Sequence, residues 1–323
     1  MKLTRRHIMA GAAVAGAAGT LPIAARAQSA APAGGTGSAQ APAFHRLMIG
    51  DTRVTAISDG NLYANASVLP NADEADFAEA MEAMFLPTDR YTMPLNTYVV
   101  ERNGRLMLVD AGGSTQMAPT LGLLQPHLAA AGVDPAAIET VLLTHLHPDH
   151  IGGLVDGAGG AAFPNAELVV AANELAFWTD PATRAALPDG AKGMVDGIVK
   201  ATEVYEGRVR PFEGATGVDG VEAVPLPGHT PGHTGYRISD GGQSLLIWGD
   251  IVHIAPLQVP NPDIYIGFDT VPEEAVATRK RIMDEAATDK LLITGMHLPF
   301  PGFAHLVRDG EGYALVPVPW QYL

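Results

Sequence analysis

Residues 144–153 read "THLHPDHIGG", so three of the chain's 11 histidines and one aspartate fall within six positions. Imidazole and carboxylate are the ligands that borderline divalent cations take. Alternate residues of an extended segment face the same way. His145 and His147 therefore point together, while Leu146 points into the core. Pro148 ends the extension. Asp149 and His150 are neighbours and cannot share one strand face, but on a turn they converge on a second point. This spacing suits two metal ions rather than one. With roughly one histidine in thirty, His-x-His-x-Asp-His arises by chance on the order of once per thousand chains of this length. The bland alternative is a solvated histidine-rich loop.

More ligand types follow downstream. "PLPGHTPGH" (225–233) supplies His229 and His233, "IWGD" ends in Asp250, and "GMH" ends in His297. The segments "RLMLVDAGG", "TVLLTHLHPDH", "LLIWGDIVH" and "LLITGMH" share one shape, an apolar strand stopped by Asp or His. Polar groups at strand ends along one sheet edge are how α/β folds assemble a site. The chain has no Cys, which excludes disulfides, thiolate zinc sites and cysteine nucleophiles together. It also lacks a Gly-x-Ser-x-Gly elbow, so a serine hydrolase of that type is not expected.

Short runs rich in Val, Leu, Ile and Thr, bounded by Gly, Pro, Asp and Asn, predict strands at 52–58, 96–102, 105–110, 139–145, 166–171, 233–238, 244–250, 290–296 and 313–318. Helices are expected at 73–84, 117–131, 173–178 and 272–287, the last with Thr270 as cap and Pro272 in its first turn. Hairpins and crossovers alternate in both halves. That order implies two β-sheets with helices outside rather than one parallel sheet.

The 323 residues carry a formal charge of −15 and are 47% hydrophobic. Such an acidic surface repels phosphate backbones, so nucleic acid is not an expected partner. Residues 1–27 have a basic start with Arg5-Arg6, a run of small apolar residues and an Ala25-Arg26-Ala27 site. They read as an export signal resembling the twin-arginine type, with periplasmic or secreted localisation. The apolar run is too short for a lasting membrane anchor. Without these 27 residues the chain keeps 16 Lys+Arg against 35 Asp+Glu, or −19. Residues 28–43 are low-complexity and read as a flexible leader, leaving one domain at 44–323.

The ordered set His145-x-His147-x-Asp149-His150, then His229, Asp250 and His297, resembles the metallo-β-lactamase superfamily over essentially the whole chain after the leader. The resemblance implies an α/β fold, a four-layer αβ/βα sandwich with a dinuclear metal site at the sheet edge. It implies that His145, His147 and His229 bind one metal, that Asp149, His150 and His297 bind the other, and that Asp250 bridges them. Asp110 in "LVDAGG" would orient a ligand from behind. Zn²⁺ fits this N/O set best, with Fe, Mn or Co as alternatives. Such a centre holds a bridging hydroxide that attacks a lactone or ester carbonyl, with Asp149 and Asp250 as the catalytic carboxylates. In "GHTPGH" the first histidine is the matching one, not His233. His253 and His305 are open between pocket and structural roles.

Within the superfamily, "FPNAELVV", "PGHTPGHTGY", "WGDIVHIAPLQVPNPD" and "HLPFPGFAHL" are similar to the exported branch of methyl parathion hydrolases, lactonases and arylesterases. That branch has aromatics where Met117 and Met194 stand here, which favours lactones and aryl esters, with organophosphate triesters as a side activity. The expected pocket is Met117, Trp178, Met194, Leu257 and Phe300 and the expected partner a small ester or lactone; the oligomeric state is open, with a homodimer among the alternatives and the loop at 61–70 shaping either a pocket lid or a dimer contact. Two rival readings stand beside this: a phosphotriesterase proper, and a non-catalytic exported metal-binding protein.

Overall fold

The computed structural model describes residues 40–187 and 189–321. The expected signal at 1–27 and all but the last four residues of the expected leader lie outside them.

The first sheet holds β1 (Phe44–Ile49), β2 (Thr52–Ala64), β3 (Tyr91–Arg102), β4 (Arg105–Val109), β5 (Ile138–Leu142), β6 (Glu167–Ala171) and β7 (Val209–Phe212), in that spatial order. The second runs β13-β12-β11-β10-β9-β8, from β8 (Val221–Pro225), β9 (Thr234–Asp240), β10 (Gln243–Ile247), β11 (Leu292–Thr294), β12 (Ala304–Asp309) and β13 (Gly312–Pro317). The helices are α1 (Glu74–Ala83), α2 (Leu124–Ala130), α3 (Pro148–Ile151), α4 (Ala172–Thr179), α5 (Pro181–Ala186), α6 (Asp189–Val204), α7 (Ala255–Gln258) and α8 (Pro272–Thr288).

Side-chain alternation along the strands builds the layers. Tyr98, Val100, Met107, Val109, Leu142 and Val169 turn inward and meet Tyr236, Ile238, Leu245 and Ile247 of the second sheet. The residues between them, Val99, Leu108, Val141, Leu168 and Val170, turn outward and are covered by Leu124 and Leu128 of α2, Trp178 of α4, and Val195 and Ile198 of α6. Leu246 and Ile293 turn outward from the second sheet onto Ile282, Met283 and Ala286 of α8. The buried face of α8, Ala275, Thr278, Arg279, Ile282, Met283 and Ala286, has the helical i, i+3, i+4, i+7 spacing. Helix, sheet, sheet, helix is the four-layer αβ/βα sandwich.

Four strands, 44–49, 209–212, 221–225 and 304–309, and helices α5, α6 and α7 go beyond the elements expected from the sequence. The helix expected at 117–131 is only α2. Buried Asp59 accepts the backbone N–H of Gly113, Gly122 and Leu124, which wraps the preceding segment around one carboxylate instead of coiling it. Thr270 does not cap α8. The cap residue is Val271, without a side-chain bond. The backbone N–H of Thr270 and Val271 donate instead to the carbonyls of His229 and Gly228, tying the start of α8 to the histidine loop.

Candidate metal centre

β4 and β5 run parallel, as do β10 and β11, so their C-terminal ends fall on one edge of the sandwich. The chain leaves each strand there with a polar residue. Asp110 follows β4, and the left-handed φ of 57° at Asp110 turns the backbone off the strand. His145 and His147 follow β5. Asp149 and His150 lie on the single turn of α3, which Pro148 starts. His229 sits in the β8–β9 turn, Asp250 follows β10, and His297 follows β11.

All seven expected ligands are brought together in two groups whose ligand atoms lie within 4.8 Å of one another: His145, His147 and His229, and Asp149, His150, Asp250 and His297. In the first group the facing nitrogens are 3.0, 3.0 and 3.2 Å apart. A ring nitrogen carries either one proton or one lone pair, so protons cannot satisfy three that face one another. A tetrahedral zinc with bonds of about 2.0–2.1 Å needs ligands roughly 3.3–3.4 Å apart. The triangle therefore fits such an ion. Oδ2 of Asp250 faces both groups, 3.4 Å from Nε2 of His229 and 3.2 Å from Nε2 of both His150 and His297. Nε2 of His150 and Oδ1 of Asp250 are buried with no hydrogen-bond partner among the described residues. Orphaned acceptors in a nitrogen and oxygen cluster are what a cation would satisfy.

Four of the five expected imidazole ligands are oriented through the other nitrogen, as ligating histidines are. Nδ1 of His150 lies 2.7 Å from Asp110, and Nδ1 of His229 lies 2.8 Å from Asp269. Nδ1 of His297 lies 2.9 Å from the Pro94 carbonyl, and Nδ1 of His145 lies 3.0 Å from the Thr144 hydroxyl. Asp269 is itself 3.6 Å from the buried Arg279 guanidinium.

Burial, followed by neighbouring imidazoles, holds His145 and His147 well below the usual histidine range, leaving them neutral with lone pairs to give. Burial also opposes charge on His229, but Asp250 and Asp269 outweigh it and push its pKa up to about 9. Burial is likewise outweighed at His150 and His297, which rise through Asp250 and Asp149. The cluster of carboxylates thus attracts positive charge, and divalent cations would supply it in place of protons.

A cavity of about 280 Å³ opens onto the centre. His147, Asp149, His229 and Asp250 line its floor, with His253 beside them. Leu62, Tyr63, Val68, Met93, Met117, Met194 and Phe268 form apolar walls. Of the five pocket residues expected from the sequence, Met117 and Met194 line it. Trp178 does not: it is buried on the sheet-facing side of α4 and donates its indole N–H to Glu174. Leu257 packs with Phe77, Met81 and Ile266 in a separate core, and Phe300 lies outside the lining. His253 lines the cavity with Nε2 3.1 Å from Asp250, and its Nδ1 has no partner among the described residues. His233 is a brace: Nδ1 lies 2.9 Å from the Leu226 carbonyl and Nε2 accepts the Asp250 N–H. His305 is on β12, its Nδ1 3.0 Å from the Leu291 carbonyl. The loop at 61–70 supplies Leu62, Tyr63 and Val68 to the lining, and the sequence reading missed Asp269, Met93 and Phe268. No short-range spacing marks them, because tertiary contact alone brings them to the site.

Comparison with known proteins agrees with this geometry. Residues 90–295 match the family model described as the metallo-beta-lactamase superfamily. A crystal structure described as hydrolase AbOPH in the beta lactamase superfamily is 30% identical, with a TM-score of 0.83 over 88% of this chain and 100% of that one. A second, AidC, described as a dizinc quorum-quenching lactonase, is 25% identical, with a TM-score of 0.82 over 87% of this chain and 99% of that one. The uncharacterized protein YobT of Bacillus subtilis is 29% identical over 49% of this chain, and the match spans 61% of YobT's own length. With the family model matched across both sheets and through all seven ligand positions but His297, the chain belongs to the metallo-β-lactamase superfamily.

Proposed function

We propose that this protein is a dinuclear metal-dependent hydrolase of a neutral ester or lactone with an apolar acyl arm. The observation that carries the reading is a centre of seven nitrogen and oxygen ligands at the floor of an apolar cavity. His145, His147 and His229 would hold one ion and Asp149, His150 and His297 the other, with the Asp250 carboxylate facing both groups. Two divalent ions, zinc first, supply Lewis acidity that activates water at neutral pH and polarises the carbonyl. The chain's own groups do the rest. Asp149, partly exposed on the cavity floor, takes the proton lost by the attacking water and passes it to the leaving oxygen. The apolar walls seat the acyl arm, and Met117 and Met194 adapt to arms of varied shape. The twin-arginine-like start supports an exported enzyme that folds, and loads its metals, before translocation.

A second reading, aryl phosphotriester hydrolysis, is favoured by one observation: Tyr63 and Phe268 give an aryl leaving group aromatic neighbours in the cavity. The test is kcat/KM of the zinc-loaded protein on an acyl lactone and on an aryl phosphotriester. A lactone preference of about a hundredfold, roughly 2.7 kcal/mol, supports the first reading. The reverse preference installs the second, and turnover of no ester at all leaves a metal-binding protein.

A further inference from the structure

Buried Glu174, at the start of α4, belongs to neither metal group, yet one carboxylate reaches both loops that carry the first group. Oε1 accepts the backbone N–H of Leu146, the residue between His145 and His147, at 3.0 Å. Oε2 accepts the N–H of Gly232, three residues past His229, at 2.9 Å. The Trp178 indole N–H donates to Oε1 at 2.7 Å, and its ring stands edge-on to His147 with centroids 5.5 Å apart. The neighbouring Asn173 side chain donates to the Pro231 carbonyl at 2.8 Å. Gly232 is pressed so closely here that a Cβ on it would lie 2.5 Å from Cβ of Glu174. Among the described residues no bond from Glu174 reaches Asp149, His150, Asp250 or His297 themselves, although Leu146 lies on the segment that runs on into α3.

We infer that Glu174 is a positioning residue for the first metal alone, clamping the His145/His147 loop to the His229 loop so that three imidazole nitrogens converge. This rests on the dinuclear reading above. Two separate loops must be held within a few tenths of an ångström for three nitrogens to share one ion, and hydrogen bonds to backbone N–H do this without touching the ligands. A single carboxylate suits the task because it offers two acceptor atoms and no donor.

The experiment is a Co²⁺ titration of metal-free protein, read by visible absorption and by metal retained after dialysis. Glu174→Gln is nearly isosteric. It keeps one acceptor for Leu146 and Trp178 but turns an NH₂ toward the Gly232 N–H, which releases the His229 loop. The wild type is expected to bind two Co²⁺, and Glu174→Gln to bind the first-group ion at least about tenfold more weakly, with the other ion's affinity unchanged. His297→Ala, which removes a ligand of the second group, assigns the sites: its remaining Co²⁺ is bound at least about tenfold more weakly when Glu174→Gln is added. Equal weakening at both sites, or wild-type binding at both, overturns the assignment. If Glu174→Gln lowers the thermal midpoint of the metal-free protein, Asn173→Ala takes its place. It cuts the Pro231 tie and the bond from the Glu174 backbone N–H to the Asn173 side-chain oxygen, and is expected to give a smaller loss at the same site, and unchanged Co²⁺ affinity there overturns the clamp. A wild type that binds fewer than two Co²⁺ overturns the dinuclear reading itself.

Discussion

Asp110 and His150 are joined by a 2.7 Å contact between Oδ2 and ring Nδ1, buried and outside the cavity lining. The same carboxylate accepts both the N–H and the hydroxyl of Thr144, the residue before His145. One side chain behind the centre thus orients His150 and fixes the exit of β5. Asp110→Asn leaves one acceptor atom for three donors. It is expected to weaken the second metal about 10- to 100-fold and to lower kcat in parallel, checked by metal titration beside steady-state kinetics. Undiminished affinity would show that His150 is held by packing alone.

Metal removal should cost stability as well as activity. Without cations the facing nitrogens of His145, His147 and His229 and the orphaned Asp250 Oδ1 lose their common partner. Zinc held at about 1,000 times its dissociation constant adds roughly 4 kcal/mol, or on the order of 10 °C in Tm for a chain of this size. Calorimetry before and after chelation, then with zinc restored, measures it. A Tm indifferent to chelation and to added zinc would mean that the folded chain binds no ion in preference to the unfolded one.

Asp59 gives the fold a pH dependence of its own. Burial raises its pKa to about 6 from 3.8, against the lowering effect of the backbone N–H bonds of Leu124, Gly113 and Gly122. The folded state therefore binds this proton more tightly than the unfolded state. The contribution is fully present below about pH 3.8, is lost as pH rises through about 6, and amounts to roughly 3 kcal/mol. Asp59→Asn has no such proton. The Tm difference between wild type and variant, measured on metal-free chains so that metal release does not enter, is expected to shrink from pH 4 to pH 7. A constant difference would show that Asp59 stays ionised throughout.

What the sequence made legible follows from what is local. The residues of the centre stand where an apolar run meets Asp or His, and the 2-residue period of β4, β5 and β10 survives intact in the packing. What it hid depends on distance. Asp269 stands 40 residues from His229 and reaches it only because α8 is tied to the His229 loop. Helix α6 escaped notice because Gly190, Gly193 and Gly197 lower its helix propensity, and it forms because Val195, Ile198 and Ala201 bury against the first sheet's outer core. Trp178 was misjudged for a related reason: a large aromatic near a histidine motif reads equally as wall or as core, and only the Glu174 contact decides.

Met117 and Met194 line the cavity, whereas Leu257 and Phe300 do not. Met194→Ala and Met117→Ala are expected to raise KM for a long-acyl substrate about 3- to 10-fold, about 1 kcal/mol of lost apolar contact, with little change in Tm. Leu257→Ala is expected to do the reverse, costing about 2–5 kcal/mol of stability as a core truncation, and Phe300→Ala to leave KM unchanged. Parallel kinetics and melts of the four variants separate wall from core. A KM effect at Phe300 would place it against bound substrate.

On the proposed hydrolase reading, the cavity's charge is expected to select among esters. Its lining carries Asp149 and Asp250 and no Lys or Arg, on a chain of net charge −15. Bound cations neutralise the floor, but the walls stay apolar and the outer surface acidic, so a carboxylate at the far end of an acyl arm meets repulsion and no partner. Matched substrates that differ only in a methyl or a carboxylate at that end should therefore differ at least about tenfold in KM. The gap should narrow as salt rises from 0.01 M to 1 M, because the screening length falls from about 30 Å to 3 Å. Val68→Lys puts a cation in the wall and is expected to close most of the gap at low salt by lowering KM for the carboxylate substrate. A preference that ignores both salt and Val68→Lys would locate the selection in desolvation at the apolar wall rather than in the field above it.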